Sequence, residues 1–409
     1  MINLKPENNQ KNRIFLVRRN SKSFSRIKDF FDHENSWNVS ERSELAHNSL
    51  NFRWKRLIFV LFLVLLISIS GCKGKKDVKK ALEEIRTGTE GIVLNFLPNA
   101  PPATIHVEKG IPPETFDVVL EVKNKGAYPQ PDEGIGGLGP LLGKVYLSGY
   151  DQNILVFTPS PPVAELTGRT LEGKSTINPN GGQDLVVFKV NVNVENLNVE
   201  KYEPILLATA CYNYFTIAGP SVCIDPNPYS TVKEKKVCEV QDVTLTNQGA
   251  PIAVTKIGEE AFATKTQFKI TVKNVGGGDV IKREAFEKCN PFGSDKIGRE
   301  DIDKVYLYEV KISDKTLDCG PFAEGNKGKQ GYIRLINGEG FVICELRDYG
   351  GSKTAYTTPL RIWLSYNYIN TAERKLQIKM ETSGLGGVSP ESGSNYPQPN
   401  IPIEQQYGP

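Results

Sequence analysis

Gly168-Arg-Thr-Leu-Glu-Gly173-Lys174-Ser175 satisfies the phosphate-loop pattern G-x-x-x-x-G-K-[ST] letter for letter, so nucleotide chemistry is the first reading to weigh. Such a loop works between a buried strand and a helix, whose first amides and dipole meet the phosphates. Here Pro159, Pro161 and Pro162 precede it, and Asn178-Pro179-Asn180-Gly181-Gly182 follows, where no helix can run. A surface loop that binds no nucleotide is expected. Catalysis is equally hard to assemble. Beyond residue 72 the single histidine is His106, in a Pro-flanked stretch, so a Ser-His-Asp or Cys-His arrangement has only one base to draw on. The carboxylates of Asp132-Glu133, Glu259-Glu260 and Glu300-Asp301-Asp303 lack the spacing of a calcium loop and read as solvated loop charges. No catalytic residue, metal or cofactor is expected.

Six cysteines remain as reactive groups, Cys211, Cys223, Cys238, Cys289, Cys319 and Cys344, all downstream of Cys72. No Cys-x-x-Cys spacing points to zinc, and an even count in an exported chain reads as disulfides. Six cysteines allow about 15 pairings. Proximity suggests Cys211 with Cys223 across a short loop, and Cys319 with Cys344 as a second pair. The inter-sheet bridge of antibody domains is not expected, because Val118, Leu120, Ile270 and Val272 occupy the strand positions that would carry it.

The export reading comes from Leu57 to Ile69, LIFVLFLVLLISI, preceded by Arg53, Lys55 and Arg56. The run is shorter than the roughly 20 apolar residues of a spanning helix and suits a signal-peptide core. Its end, Ile69-Ser70-Gly71-Cys72, resembles the lipobox of prokaryotic lipoproteins, which implies lipid attachment at Cys72; the alternative is an uncleaved anchor helix. Either way the basic flank holds the N-terminal side in the cytoplasm and sends the rest outward. Residues 1–52 form a polar leader or cytoplasmic tail, or the true start lies downstream. Residues 53–72 are the signal or anchor, and 73–90 a charged spacer with Val78, Leu82 and Ile85 at helical spacing. The net charge of +3, much of it before residue 57, argues against a nucleic-acid partner.

What must position any site is a repeat at a separation of about 150 residues, one domain's length. Phe116 to Asn124 matches Phe268 to Asn274 in a Val-Lys-Asn-x-Gly ending. Lys144-Val-Tyr-Leu147 recurs as Lys304-Val-Tyr-Leu307, Leu185 to Val190 parallels Phe341 to Leu346 after an Asn-Gly pair, and Pro204 to Tyr214 parallels Pro359 to Tyr368 in a shared Tyr-Asn-Tyr ending. Within the blocks the period is two: Phe116, Val118, Leu120 and Val122 share one face, as do Leu360, Ile362, Leu364 and Tyr366. That alternation predicts antiparallel sheets with one buried face each. The fold class expected is all-β, two tandem immunoglobulin-like sandwiches, residues 91–236 and 237–382, behind an N-terminal hydrophobic helix, with a disordered tail over 383–409.

The Val-Lys-Asn-x-Gly ending resembles the CARDB group of adhesion-related, immunoglobulin-like domains on prokaryotic, particularly archaeal, surfaces. The first copy departs from it at Ala127, where a second glycine is expected. The resemblance implies a surface location and an immunoglobulin-like fold; with the missing catalytic set and the N-terminal anchor, the function expected is a non-catalytic, membrane-anchored surface protein of structural or adhesive role, whose partner is an envelope protein or glycan. The competing function is a receptor capturing a glycan or small solute, with Trp363 in the contact groove. Leu141 and Leu142, at the end of the uncharged loop Gly134–Gly143, are the other candidate contact residues.

Overall fold

The computed structural model describes residues 86–112, 115–129, 140–230, 236–324 and 328–381. The leader, the apolar run 57–69, Cys72, the spacer to residue 85, the loop 130–139 and the tail from 382 lie outside them. The protein is mostly β, as the alternation predicts. Val118, Leu120 and Val122 are buried, as are Leu360, Ile362, Leu364 and Tyr366, while the intervening Asp117 and Arg361 are exposed.

The first half of the chain forms β1 (Ile92–Phe96), β2 (Thr104–Glu108), β3 (Thr115–Asn124), β4 (Gly143–Ser148) and β5 (Leu155–Thr158), then β6 (Val163–Glu165), β7 (Gln183–Val192), β8 (Lys201–Tyr202), β9 (Ile205–Ala218) and β10 (Ser221–Ile224). The second half forms β11 (Val243–Thr244), β12 (Ile252–Ala261), β13 (Thr266–Asn274), β14 (Asp279–Ile281), a 3-10 helix Arg283–Cys289, β15 (Lys304–Ile312) and β16 (Lys315–Thr316). It closes with β17 (Asp318–Gly320), β18 (Gly331–Arg334), β19 (Glu339–Leu346), β20 (Tyr356–Lys375) and β21 (Gln377–Glu381).

One layer is the sheet β1-β3-β7-β5, and another is β11-β12-β13-β19-β17. A nine-stranded sheet in the order β16-β15-β20-β9-β4-β6, with β10, β14 and β18 attached, serves both halves. One hydrophobic core draws its buried residues from all of these sheets. A small sheet, β2-β21-β8, joins the beginning of the first half to the end of the second through the parallel pair β2–β21. Turn chemistry supports the strands: Asn337 and Gly338 both adopt positive φ (54° and 77°), which closes the tight turn between β18 and β19.

The two repeats meet where the strands carrying their Tyr-Asn-Tyr motifs pair. β9 and β20 run antiparallel with Asn213 opposite Asn367, Tyr212 opposite Tyr368 and Tyr214 opposite Tyr366, so the Tyr-Asn-Tyr motifs lie across a local two-fold axis. This is the geometry of a self-complementary dimer interface, built within one chain. It makes one continuous sheet of strands drawn from both repeats.

Below that axis the four tyrosines are fully buried, and successive rings lie 5.6 to 6.4 Å apart. A buried phenol needs a partner for its hydroxyl, and the Val-Lys-Asn-x-Gly ending supplies it twice. Tyr214 Oη donates to Asn124 Oδ1 (3.1 Å), and Tyr368 Oη donates to Asn274 Oδ1 (2.9 Å). Asn124 Oδ1 also accepts from Gly126 N (3.1 Å), as Asn274 Oδ1 does from Gly276 N (3.2 Å). A side chain at Gly126 would collide with Tyr214 Oη, which is why the motif keeps a glycine two residues after its asparagine. Desolvation raises the phenol pKa of Tyr212, Tyr214, Tyr366 and Tyr368.

Candidate binding face at the repeat junction

On the opposite face of the shared sheet, the asparagines between the tyrosines anchor the segments that arrive beside them. Asn213 Oδ1 accepts from Leu142 N (2.6 Å), while Asn367 Nδ2 donates to the carbonyls of Lys282 (2.7 Å) and Arg283 (2.8 Å). The second segment is longer than its counterpart in the first repeat. It folds into the 3-10 helix Arg283–Cys289 and covers an apolar patch in which Tyr146, Cys211, Ile281, Ala285 and Cys289 are buried together. Two links hold this cover in place: the Cys211–Cys289 disulfide, and Lys144 Nζ, 3.1 Å from Glu287 and 5.7 Å from the Phe286 ring centroid.

Beside the helix lies a cavity of about 340 Å³, lined by Leu142, Asn213, Phe215, Arg283, Glu284 and Phe286 with the β20 residues Ser365 to Asn367 beneath. The Arg283 guanidinium stands 4.9 Å from the Tyr306 ring centroid, and the Glu284 carboxylate accepts the hydroxyl of Tyr332. Burial, with the Glu284 charge adding to it, pushes the Tyr332 phenol well up. The lining therefore offers rings, a cation, a carboxylate and amides, the groups of a contact surface that combines apolar area with a few directional polar bonds.

The structure distributes the sequence-derived candidates unevenly. Leu142 is 45% exposed and lines this cavity, whereas Leu141 is buried and belongs to the core. Trp363 is half-buried on the outer face, stacked on Tyr308 at 6.1 Å and 17°. Cys72 lies outside the described residues.

The six downstream cysteines form three bridges, Cys211–Cys289, Cys223–Cys238 and Cys319–Cys344. The pairing of Cys211 with Cys223 expected from proximity is therefore corrected. β10 continues β9 along β20 in the same register, Ala218 opposite Ile362 and Ser221 opposite Pro359, so Cys211 and Cys223 stand about 40 Å apart on one extended run, Cys211 under the 3-10 helix and Cys223 beside Glu259 of β12. Cys319 and Cys344 are direct cross-strand partners within one sheet.

Two carboxylates read as solvated are buried. Asp301 binds Lys288 Nζ (2.8 Å) and Gly298 N (3.0 Å). Glu259 has one oxygen accepting from Cys223 N (3.3 Å) and the other without a hydrogen-bond partner. Gly168–Ser175 runs through irregular backbone with no helix after it; Lys174 N donates to Gly126 O (2.8 Å) and its Nζ to Thr87 O (3.4 Å). His106 pairs with Glu381 across β2 and β21 (2.5 Å). Sequence reasoning did not single out Phe215, Arg283, Glu284 or Phe286. Their signal is the extra length between Asn274 and Lys304 relative to the stretch between Asn124 and Lys144.

The fold and this face define an all-β, disulfide-bonded protein with a cavity lined by rings and charged side chains at the junction of its repeats. The sequence matches no protein-family model and no curated protein. Among solved structures the chain shows slight likeness to the E. coli chaperone DraB (10% identity, 72% of this chain and 100% of that one, TM-score 0.16). It shows the same to the secreted serine protease VesC from Vibrio cholerae (10% identity, 68% and 50%, TM-score 0.15). The C-terminal globular domain of an oligosaccharyltransferase from Pyrococcus abyssi is similar at 10% identity, over 66% and 45%, with a TM-score of 0.14. Likeness at this level carries no argument about fold or activity.

Proposed function

We propose that this is a non-catalytic binding or structural protein of the cell surface, held to the membrane through its N-terminal segment, with its paired sandwiches on the outer side. The observation that carries the reading is the fate of the cysteines: all six beyond Cys72 are committed to disulfides, chemistry that persists in oxidising, extracytoplasmic surroundings. The apolar run with its basic flank and the lipobox-like Ile69-Ser70-Gly71-Cys72 supply the route outward. We read each half as an immunoglobulin-like, CARDB-like sandwich; the support is that β1, β3, β7 and β5 correspond in order to β12, β13, β19 and β17.

A second reading, capture of a glycan, draws on the stacked Trp363–Tyr308 pair, an aromatic platform on the outer face. The first reading is tested by mass spectrometry of the membrane fraction. A diacylglycerol-modified peptide beginning at Cys72 is the expected result, and an unmodified soluble protein retaining residues 1–72 would rule the anchoring out.

A further inference from the structure

The local two-fold axis makes the two margins of the shared sheet comparable residue for residue. Tyr128 N donates to Tyr214 Oη (3.2 Å) as Gly278 N does to Tyr368 Oη (3.0 Å), so Tyr128 and Gly278 hold equivalent places. In the second half the chain runs from Gly278 directly into β14, which adds to β20 with Asp279 opposite Ile369 and Ile281 opposite Asn367. In the first half the next residue is Pro129, which has no N–H to give a ladder. Its carbonyl instead accepts from Gly173 N (2.7 Å). The chain turns aside there, and among the described residues the ladder on this side of β9 stops at Asn213, whose N–H donates to Leu142 O (2.9 Å).

Alternate residues of a strand direct their N–H and C=O to the same neighbour, so Phe215 and Ile217 turn theirs toward this margin. The Tyr128 ring packs on Phe215 at 4.9 Å and bounds the margin at one end. Beyond Phe215 it opens on a cavity of about 650 Å³, walled by Ile217–Ser221 on one side and Val243–Gln248 on the other, with Arg86 the one charged residue in its lining. β11, in the second wall, is the terminal strand of its own sheet. Two strand edges from different layers thus border the same space.

Natural edges are usually guarded by charge. The free stretch of β20 past its β14 pairing is guarded in this way by Glu373, Arg374 and Lys375. The margin of β9 reads Phe215-Thr-Ile-Ala-Gly-Pro-Ser221 and carries no charge.

We propose that this margin takes an extended, largely uncharged peptide strand from a partner protein, running antiparallel to β9 as β14 runs to β20. The chain itself shows the chemistry of such a strand: β14 reads Asp279-Val280-Ile281, with Val280 and Ile281 buried where they land. Main-chain hydrogen bonds along Phe215–Ser221 would supply affinity, and the cavity between the layers would receive alternate side chains. The inference deepens the binding role proposed above, on which it rests.

A labelled synthetic peptide with the sequence of Val275–Ile281, which contains β14 and a single charged side chain, is titrated against the full-length protein, followed by fluorescence anisotropy and by hydrogen exchange. Saturable binding is expected, with the amides of Phe215 and Ile217 becoming protected. Ile217→Lys, and Thr244→Lys on the opposite wall, should each weaken binding at least tenfold without shifting the melting curve. The proposal is overturned by absence of saturable binding, by binding indifferent to Thr244→Lys, or by slow exchange of Phe215 and Ile217 already in the free protein. A failure here leaves the lipid-modified Cys72 peptide unaffected, so the anchoring reading and the strand-acceptor reading stand or fall separately.

Discussion

Asn124→Ala is expected to lower the stability of the folded protein by about 3–5 kcal/mol, a drop of roughly 5–9 °C in Tm for a fold of this size. The side chain is fully buried. Its Nδ2 donates to Tyr128 O (2.7 Å) and Leu171 O (2.9 Å), while its Oδ1 accepts from Gly126 N (3.1 Å) and Tyr214 Oη (3.1 Å). Truncation leaves four polar groups to find partners inside the protein, and unsatisfied groups there cost about 1–3 kcal/mol each before relaxation. Asn274→Ala removes the equivalent bonds from the second repeat, but that side chain is half-buried, so water can replace part of what is lost. Urea melts of the two variants should place Asn124→Ala clearly below Asn274→Ala. Equal and small losses would mean that the asparagines decorate the motif and do not hold it.

Glu259→Gln is expected to stabilise the protein at alkaline pH by about 2 kcal/mol and to change little near pH 4. Burial pushes the Glu259 carboxyl up to about 7, against the single favourable bond from Cys223 N. The sign follows from linkage. A carboxyl whose folded pKa exceeds its unfolded value binds a proton more tightly when folded, so it costs nothing below the unfolded pKa near 4.5. The cost grows as pH rises toward 7 and stays constant above it. Wild type should lose stability across that interval while Glu259→Gln does not. Parallel stability profiles from pH 4 to 8 would place the Glu259 charge in contact with solvent or with an unseen cation.

The strands were legible because burial on one face imprints a two-residue period: Val118, Leu120 and Val122, and Leu360, Ile362, Leu364 and Tyr366, are buried where that period puts them, with Ser365 the one buried residue out of phase. Two features had no local imprint. The pairing of β9 with β20 joins residues some 150 apart, and a strand's alternation is the same whether its edge is paired or bare, so two sheets in tandem and one shared sheet are written identically. The Tyr-Asn-Tyr repetition carried the clue. Fully buried tyrosines on both sides of a self-complementary motif are what a two-fold contact requires.

Cys319–Cys344, 25 residues apart, was legible, but the partner of Cys211 was hidden in the same way as the sheet pairing. Cys211 and Cys289 are 78 residues apart and meet because Ala285 and Phe286 cover the outer face of β9, an arrangement set by tertiary packing. The cavity lining at the repeat junction was half visible: Leu142 stood out as an apolar residue without a strand to occupy. Arg283, Glu284 and Phe286 were hidden in an insertion whose amphipathic turn is too short to show helical periodicity.

The union of both repeats in one sheet is tested most directly by joining its two central strands covalently. Thr209 and Thr371 are opposite one another across β9 and β20, the first half-buried and the second exposed, with their hydroxyls 3.4 Å apart. The double variant Thr209→Cys/Thr371→Cys should oxidise to an intrachain disulfide, recovered by mass spectrometry as a single crosslinked peptide spanning positions 209 and 371 from monomeric protein. Free thiols at both positions after oxidation, or crosslinks found only between molecules, would contradict the shared sheet.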